Sequence, residues 1–208
     1  MQLNVFIIFI STFFLKLILP NHALPLLTDK STAIKWSVEK SSTLRILGSS
    51  NIHDFQCEAL GYTDSDTLVL NTIANNIAKQ IPLSGNLKID IKQINCHNFI
   101  ITRNFRATLK ADLYPYLIVK FLSLERSPHF TNNKDQLIGL VEIELAGVAK
   151  KFEIPYKLQK NGALVILNGQ RNFTFSDFDI LTPTILGGLV KINNSFNVGF
   201  NLCLKQTI

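Results

Sequence analysis

Asn86-Leu-Lys-Ile-Asp-Ile-Lys92 alternates strictly, with Leu87, Ile89 and Ile91 on one parity and Lys88, Asp90 and Lys92 on the other. Successive side chains of a strand point to opposite faces, so this spacing predicts a half-buried β-strand with a charged outer face. Cys96 closes it. From Thr102 to Asp112 the period changes: Phe105 and Leu109 sit four apart, as on one face of a short helix, with Arg103, Arg106 and Lys110 elsewhere. Pro115 ends that turn, because the residue before a proline is pushed out of the α region. Tyr116-Leu-Ile-Val-Lys-Phe121 then resumes as a strand. The rest of the chain is read as wrapping around this strand–helix–strand unit.

Working outward, Leu137 to Ala146 places Val141, Ile143 and Leu145 on one face and Glu142 and Glu144 on the other. Gly147-Val-Ala connects it to Lys151–Leu158, with Phe152, Ile154, Tyr156 and Leu158 inward, which makes a hairpin. Pro155 belongs where no ladder donor is required. Asn161-Gly162 turns the chain into Ala163–Phe175, and Asp177–Gly188 reads as a loop with one helical turn. In the last segment Val190, Ile192, Asn194, Phe196, Val198, Phe200, Leu202 and Leu204 share one parity, so Asn194 is the polar exception on an apolar face. Upstream, Trp36–Glu39 is a first strand, Thr43–Gly48 starts a second, and Asn51–Glu58 continues that second strand. Residues 67–81 read as a strand and then a loop.

Seven or eight strands, each with one apolar face, must bury those faces together and hide their edges. The expected fold is therefore all-β, an antiparallel barrel of about eight strands, with one short helix after the third or fourth strand.

The chain has 208 residues, of which 47% are hydrophobic and 17% charged, enough for one domain with a large apolar interior. Fifteen Phe against one Trp and one Met make that interior aromatic. The formal charge of +6 is spread along strands with no run longer than Lys150-Lys151 and no nucleic-acid signature, so nucleic acid is not an expected partner. The basic excess is compatible with transient contact with an anionic membrane surface. Nothing in the sequence sets the oligomeric state, and a dimer is compatible with it.

Val5–Ile10 and Phe13–Leu19 are apolar and lead to Pro20-Asn-His-Ala23, so residues 1–23 are expected to be a signal peptide cleaved after Ala23, with export to the periplasm or medium. Lys16 inside the apolar run disfavours a permanent membrane span. Residues 24–33 form a linker containing Pro25, and 34–206 form a single domain without repeats.

Few residues carry chemistry. His53, His97 and His129 have no paired spacing, so no metal site is expected. Ser49-Ser50 after Gly48 lack the Gly-x-Ser-x-Gly pattern of a nucleophile elbow, and Gly187-Gly188 is no phosphate loop, so no catalytic residue is assigned. Asn172-Phe-Thr and Asn193-Asn-Ser match the glycosylation acceptor pattern, which carries weight only in a eukaryotic secretory setting. Of Cys57, Cys96 and Cys203, the first two each end an expected strand. Paired, they would close a long loop worth about 3–4 kcal/mol of chain entropy; three unpaired buried thiols are the alternative.

Four stretches in this order carry a likeness: Leu44-Arg-Ile-Leu-Gly-Ser-Ser-Asn-Ile-His-Asp-Phe-Gln-Cys57; Arg103-Asn-Phe-Arg-Ala-Thr-Leu-Lys-Ala-Asp-Leu-Tyr-Pro-Tyr-Leu-Ile-Val-Lys-Phe121; Gly139-Leu-Val-Glu-Ile-Glu-Leu-Ala-Gly-Val-Ala-Lys150; and Phe175-Ser-Asp-Phe-Asp-Ile-Leu-Thr-Pro183. Over residues 34–206 the chain resembles the YceI-like family, lipocalin-like barrels associated with polyisoprenoid and quinone-type lipids. The two-cysteine version is similar to the exported branch of Bacteroidetes-type bacteria, and that resemblance implies a Cys57–Cys96 disulfide. Asn104 stands where the family pattern has an acidic residue, and residues 67–82 have no counterpart in it.

The resemblance implies an elongated apolar tunnel holding an isoprenoid lipid, with no other cofactor. The parity of the strands supplies its lining: Leu87, Ile89, Ile91, Val119, Phe121, Val141, Ile143, Leu145, Phe196, Val198 and Phe200, with Phe105 and Leu109 of the helix closing one end. The expected function is non-catalytic binding or carriage of an apolar chain lipid. A structural or interaction module with a core filled by the phenylalanines is the alternative. An enzyme on the same barrel would need a polar cluster inside, and Asn194 is where it would sit.

Overall fold

The structure, a computed structural model, describes residues 31–73 and 80–207. The signal segment, most of the linker and residues 74–79 lie outside the described residues.

Among the described residues eleven strands form: β1 (Ser31–Val38), β2 (Thr43–Ser50), β3 (Asp54–Leu60), β4 (Thr67–Ile73), β5 (Ile81–Asp90), β6 (Tyr116–Leu124), β7 (Lys134–Leu145), β8 (Val148–Asn161), β9 (Leu164–Thr174), β10 (Thr184–Ile185) and β11 (Val190–Thr207). One α-helix, α1 (Phe99–Thr108), lies between β5 and β6. The order β1-β4-β5-β6-β7-β8-β9-β11, with β11 pairing back onto β1, closes an antiparallel barrel of eight strands. The expected fold class is what the chain adopts. Closure removes the edges that strands with one apolar face would otherwise expose. Opposite β9, the long terminal strand is shared by two strands: Lys205 and Leu204 pair with Ser37 and Val38 of β1, while Phe196–Asn201 pair with Thr43–Gly48 of β2.

Several details differ from the sequence reading. Ser31–Ala33, assigned to the linker, already pair with Asn71–Ile73 of β4. The stretch 43–58 is two strands, because Asn51–His53 reverse the chain and Ser50 Oγ caps the turn by accepting from the backbone N–H of His53 (3.1 Å) and donating to its carbonyl (2.8 Å). The helix therefore follows the fifth strand rather than the third or fourth. β5 starts at Ile81, five residues earlier than its alternation begins, because a bulge between Pro82 and Gly85 breaks the pattern.

The β7–β8 hairpin forms with Phe152, Ile154, Tyr156 and Leu158 buried. Pro155 lies just past Tyr156↔Gly169, where the β8–β9 ladder stops, so its missing N–H costs no hydrogen bond to β9.

The α1 segment is pinned at its start. Asn98 caps the helix, its Oδ1 accepting from the N–H groups of Ile100 (2.9 Å) and Ile101 (3.1 Å). Cys57 and Cys96 form a disulfide, and Glu58 and Asn95 exchange two backbone hydrogen bonds beside it (2.8 and 2.9 Å). These links tie β3 to the chain after β5, where no ladder joins the two strands.

Candidate functional site

The barrel holds a cavity of about 110 Å³. Along β11 its wall takes Phe196, Val198, Phe200 and Leu202 in succession. Alternate residues over that span cover roughly 20 Å of strand.

Most of the residues expected to line a tunnel meet here. Leu87 and Ile89 come from β5, Val119 and Phe121 from β6, Ile143 and Leu145 from β7, and Phe105 and Leu109 from α1. Three others do not. Ile91 is fully buried, but it opens the 3-10 turn Ile91–Gln93, capped by Asp90, and belongs to the packed core rather than to the cavity wall. Val141 is also fully buried, opposite Phe152 and Phe121, in closed core. Asn194 is exposed: its Nδ2 donates to Ser176 Oγ (3.0 Å) and its Oδ1 accepts from Ser176 N–H (3.3 Å). Between Ile192↔Ser50 and Phe196↔Gly48 the terminal strand carries a bulge, and Asn193–Ser195 leave the β2 ladder there. A polar cluster at Asn194 inside the barrel is thereby ruled out.

The wall also contains residues that the sequence reading left out of it. Leu44 and Ile46 of β2, Phe55 of β3 and Leu117 of β6 face inward, and the alternation of each strand carries that signal. Tyr156 and Arg171 are the polar members of the β8–β9 side. Arg171 shares its parity with Val165, Leu167, Gly169 and Phe173, so reading β9 in twos places a guanidinium on the inner face.

At the α1 end the phenylalanines pack. Phe152 meets Phe173 edge-on at 5.0 Å, Phe178 lies 5.7 Å from Phe152, and Phe175 lies 4.9 Å from Phe196. Phe175 and Phe178 come from a 3-10 turn whose N-cap, Thr174, forms a reciprocal capping box with Asp177. Beyond these rings, a second cavity of about 50 Å³ is lined by Ser50, His53, Asn104, Pro183 and Ile192. Phe55, Phe105 and Phe175 touch both cavities and separate them.

The gap between β3 and β5 is spanned by side chains. Tyr62 Oη accepts from the Lys88 N–H (3.1 Å) and donates to Asp66 Oδ2. Burial, reinforced by Asp66, pushes the Tyr62 hydroxyl above its ordinary value, so it stays a neutral donor. Burial alone does the same to Tyr156.

Among the described residues, no group of three His, Cys, Asp or Glu is placed to hold a metal ion, and no helix is long and apolar enough to cross a membrane. Phe99 (79% exposed) and Ile100 of α1, and Leu113 and Tyr114 just after it, are large exposed apolar side chains, as are Leu181 (90%), Leu189, Leu60 (70%) and Ile52 of the β2–β3 turn.

No family model and no curated protein matches the chain. Solved structures do. BcnA of Burkholderia cenocepacia aligns over 78% of this chain and 95% of its own at a TM-score of 0.57 and 14% identity. A polyisoprenoid-binding domain from Saccharophagus degradans aligns over 83% and 98%, with a TM-score of 0.57 and 13% identity. The YceI protein of Campylobacter jejuni aligns over 71% and 83%, with a TM-score of 0.51 and 15% identity. With its closed eight-stranded barrel and, among the described residues, a single α-helix between strands, the chain has the lipocalin-like fold of YceI proteins.

Proposed function

We propose that this protein binds an apolar chain lipid, of polyisoprenoid or quinone type, inside its barrel and carries it without catalysis. The observation that supports this most directly is the cavity itself, an interior walled mostly by aliphatic and aromatic side chains. Burying apolar surface favours binding by about 25 cal/mol per Å², so a few hundred Å² holds a chain without any charged contact. The likeness to a domain described as polyisoprenoid-binding supports the same reading.

The exposed apolar side chains around the α1 end suit transient contact with a membrane surface, through which such a lipid would be taken up or delivered. A disulfide fits an oxidising compartment, in keeping with export after cleavage near Ala23.

The interaction-module alternative draws on one observation, the packing of Phe152, Phe173 and Phe178, which fills the α1 end. Titration of delipidated protein with a prenyl-chain lipid separates the two. Saturable one-to-one uptake is expected; no uptake favours the filled module.

A further inference from the structure

Two hydrogen-bond donors on the β8–β9 side of the cavity wall stand unpartnered among the described residues. Tyr156 is 1% exposed, and its hydroxyl has no hydrogen-bond partner among the described residues. Its ring is fixed: it lies over Gly139 and meets Phe200 edge-on at 5.9 Å. Arg171 donates through Nη1 to the Glu153 carbonyl (2.6 Å) and spreads its guanidinium over Phe152 (5.1 Å) and Phe173 (5.7 Å). Its Nε–H is buried and has no hydrogen-bond partner among the described residues.

The two residues are neighbours. Tyr156 pairs with Gly169, and Arg171 follows on the same inner face two residues along, a diagonal pair with Cβ atoms roughly 7 Å apart. The β8–β9 ladder ends at this point, and the Arg171 side chain bonds to the β8 backbone in its place.

A buried donor without an acceptor is costly, and a residue needed only for packing at position 156 would be phenylalanine. Guanidinium N–H groups only donate, and the Tyr156 hydroxyl has a proton to give. We infer that Tyr156 and Arg171 form a subsite for a carbonyl-type oxygen on the bound chain, so the ligand is a long apolar chain bearing a ketone, quinone, ester or carboxyl oxygen rather than a bare hydrocarbon. This rests on the lipid-binding reading above and specifies the chemistry of that lipid.

The test compares a long-chain methyl ketone with the n-alkane of equal carbon number, on wild-type protein and on Tyr156→Phe and Arg171→Met. Wild type should prefer the ketone by about tenfold, the worth of one good buried hydrogen bond. Tyr156→Phe should lose most of that preference while keeping its alkane affinity and an equal or higher Tm. Arg171→Met should lose preference in the same direction. The fatty acid of the same length separates the sources: binding tighter than the ketone and dependent on Arg171 marks a carboxylate, whereas the reverse order marks a neutral carbonyl. Equal binding of ketone and alkane by wild type, or a preference untouched in both variants, overturns the subsite and leaves the lipid-binding reading standing. Failure of both probes to bind overturns both.

Discussion

The ring of Tyr156 occupies the place where a side chain of Gly139 would stand: a Cβ built on that glycine would lie 2.0 Å from Tyr156 Cε2. Phe200 stands in the same relation to Gly169, at 2.1 Å. Large rings fit inside the barrel because the facing strand has no side chain at those points. Gly139→Ala should therefore destabilise the protein by about 1–3 kcal/mol, because the Tyr156 ring is buried and cannot swing aside without disturbing Phe200. Chemical denaturation measures it, and an unchanged midpoint would mean that the ring is free to move.

The disulfide spans 39 residues and closes the one part of the wall where β3 and β5 share no ladder. The double variant Cys57→Ala, Cys96→Ala should lose about 4 kcal/mol of stability by the chain-entropy relation. A loss well under 1 kcal/mol would show that the Glu58–Asn95 hydrogen bonds hold the junction alone.

A pH dependence follows from Asp135. Arg126 donates to it through Nη1 (2.9 Å) and Nη2 (2.7 Å), and the N–H groups of His129 (2.6 Å) and Gln136 (2.7 Å) donate to it as well. Chiefly through the Arg126 hydrogen bonds, its carboxyl is held down to about 2 from an ordinary 3.8. A depressed carboxylate stabilises the fold at pH above its unfolded value and loses that contribution as pH falls through the folded one. Between pH about 4 and about 2, wild type should lose on the order of 1–2 kcal/mol that Asp135→Asn has already lost. Parallel profiles for the two proteins would contradict this.

Val198 lies midway along the β11 wall, between Phe196 and Phe200. Val198→Trp should fill the cavity and abolish lipid uptake while leaving the Tm within a few degrees of wild type. Uptake unimpaired in a folded Val198→Trp protein would place the ligand elsewhere.

Much of this architecture is legible in the sequence wherever alternation runs unbroken. The β7–β8 hairpin, the inner face of β11 from Phe196 onward and the helical pair Phe105–Leu109 can all be read from spacing alone. What spacing hides is the interruption of a strand. The bulge at Asn193–Ser195 preserves parity on either side yet turns Asn194 out, and the 3-10 turn after Asp90 takes Ile91 off the wall while leaving it buried. The reversal at Asn51–His53 carries no glycine or proline, so one strand and two strands look alike there. Arg171 was accessible in principle, since it sits in phase with Leu167 and Phe173, but a charge within an alternating strand reads as solvent-facing unless the phase is counted.

The central claim is that the barrel carries an apolar chain lipid. Native mass spectrometry of the mature protein from its own host, followed by organic extraction, tests it most directly. The account predicts a defined extra mass that partitions into organic solvent as a long-chain lipid bearing an oxygen function. A bare polypeptide mass, lower by two hydrogens for the Cys57–Cys96 bond, from protein that also takes up no added prenyl lipid, would contradict it.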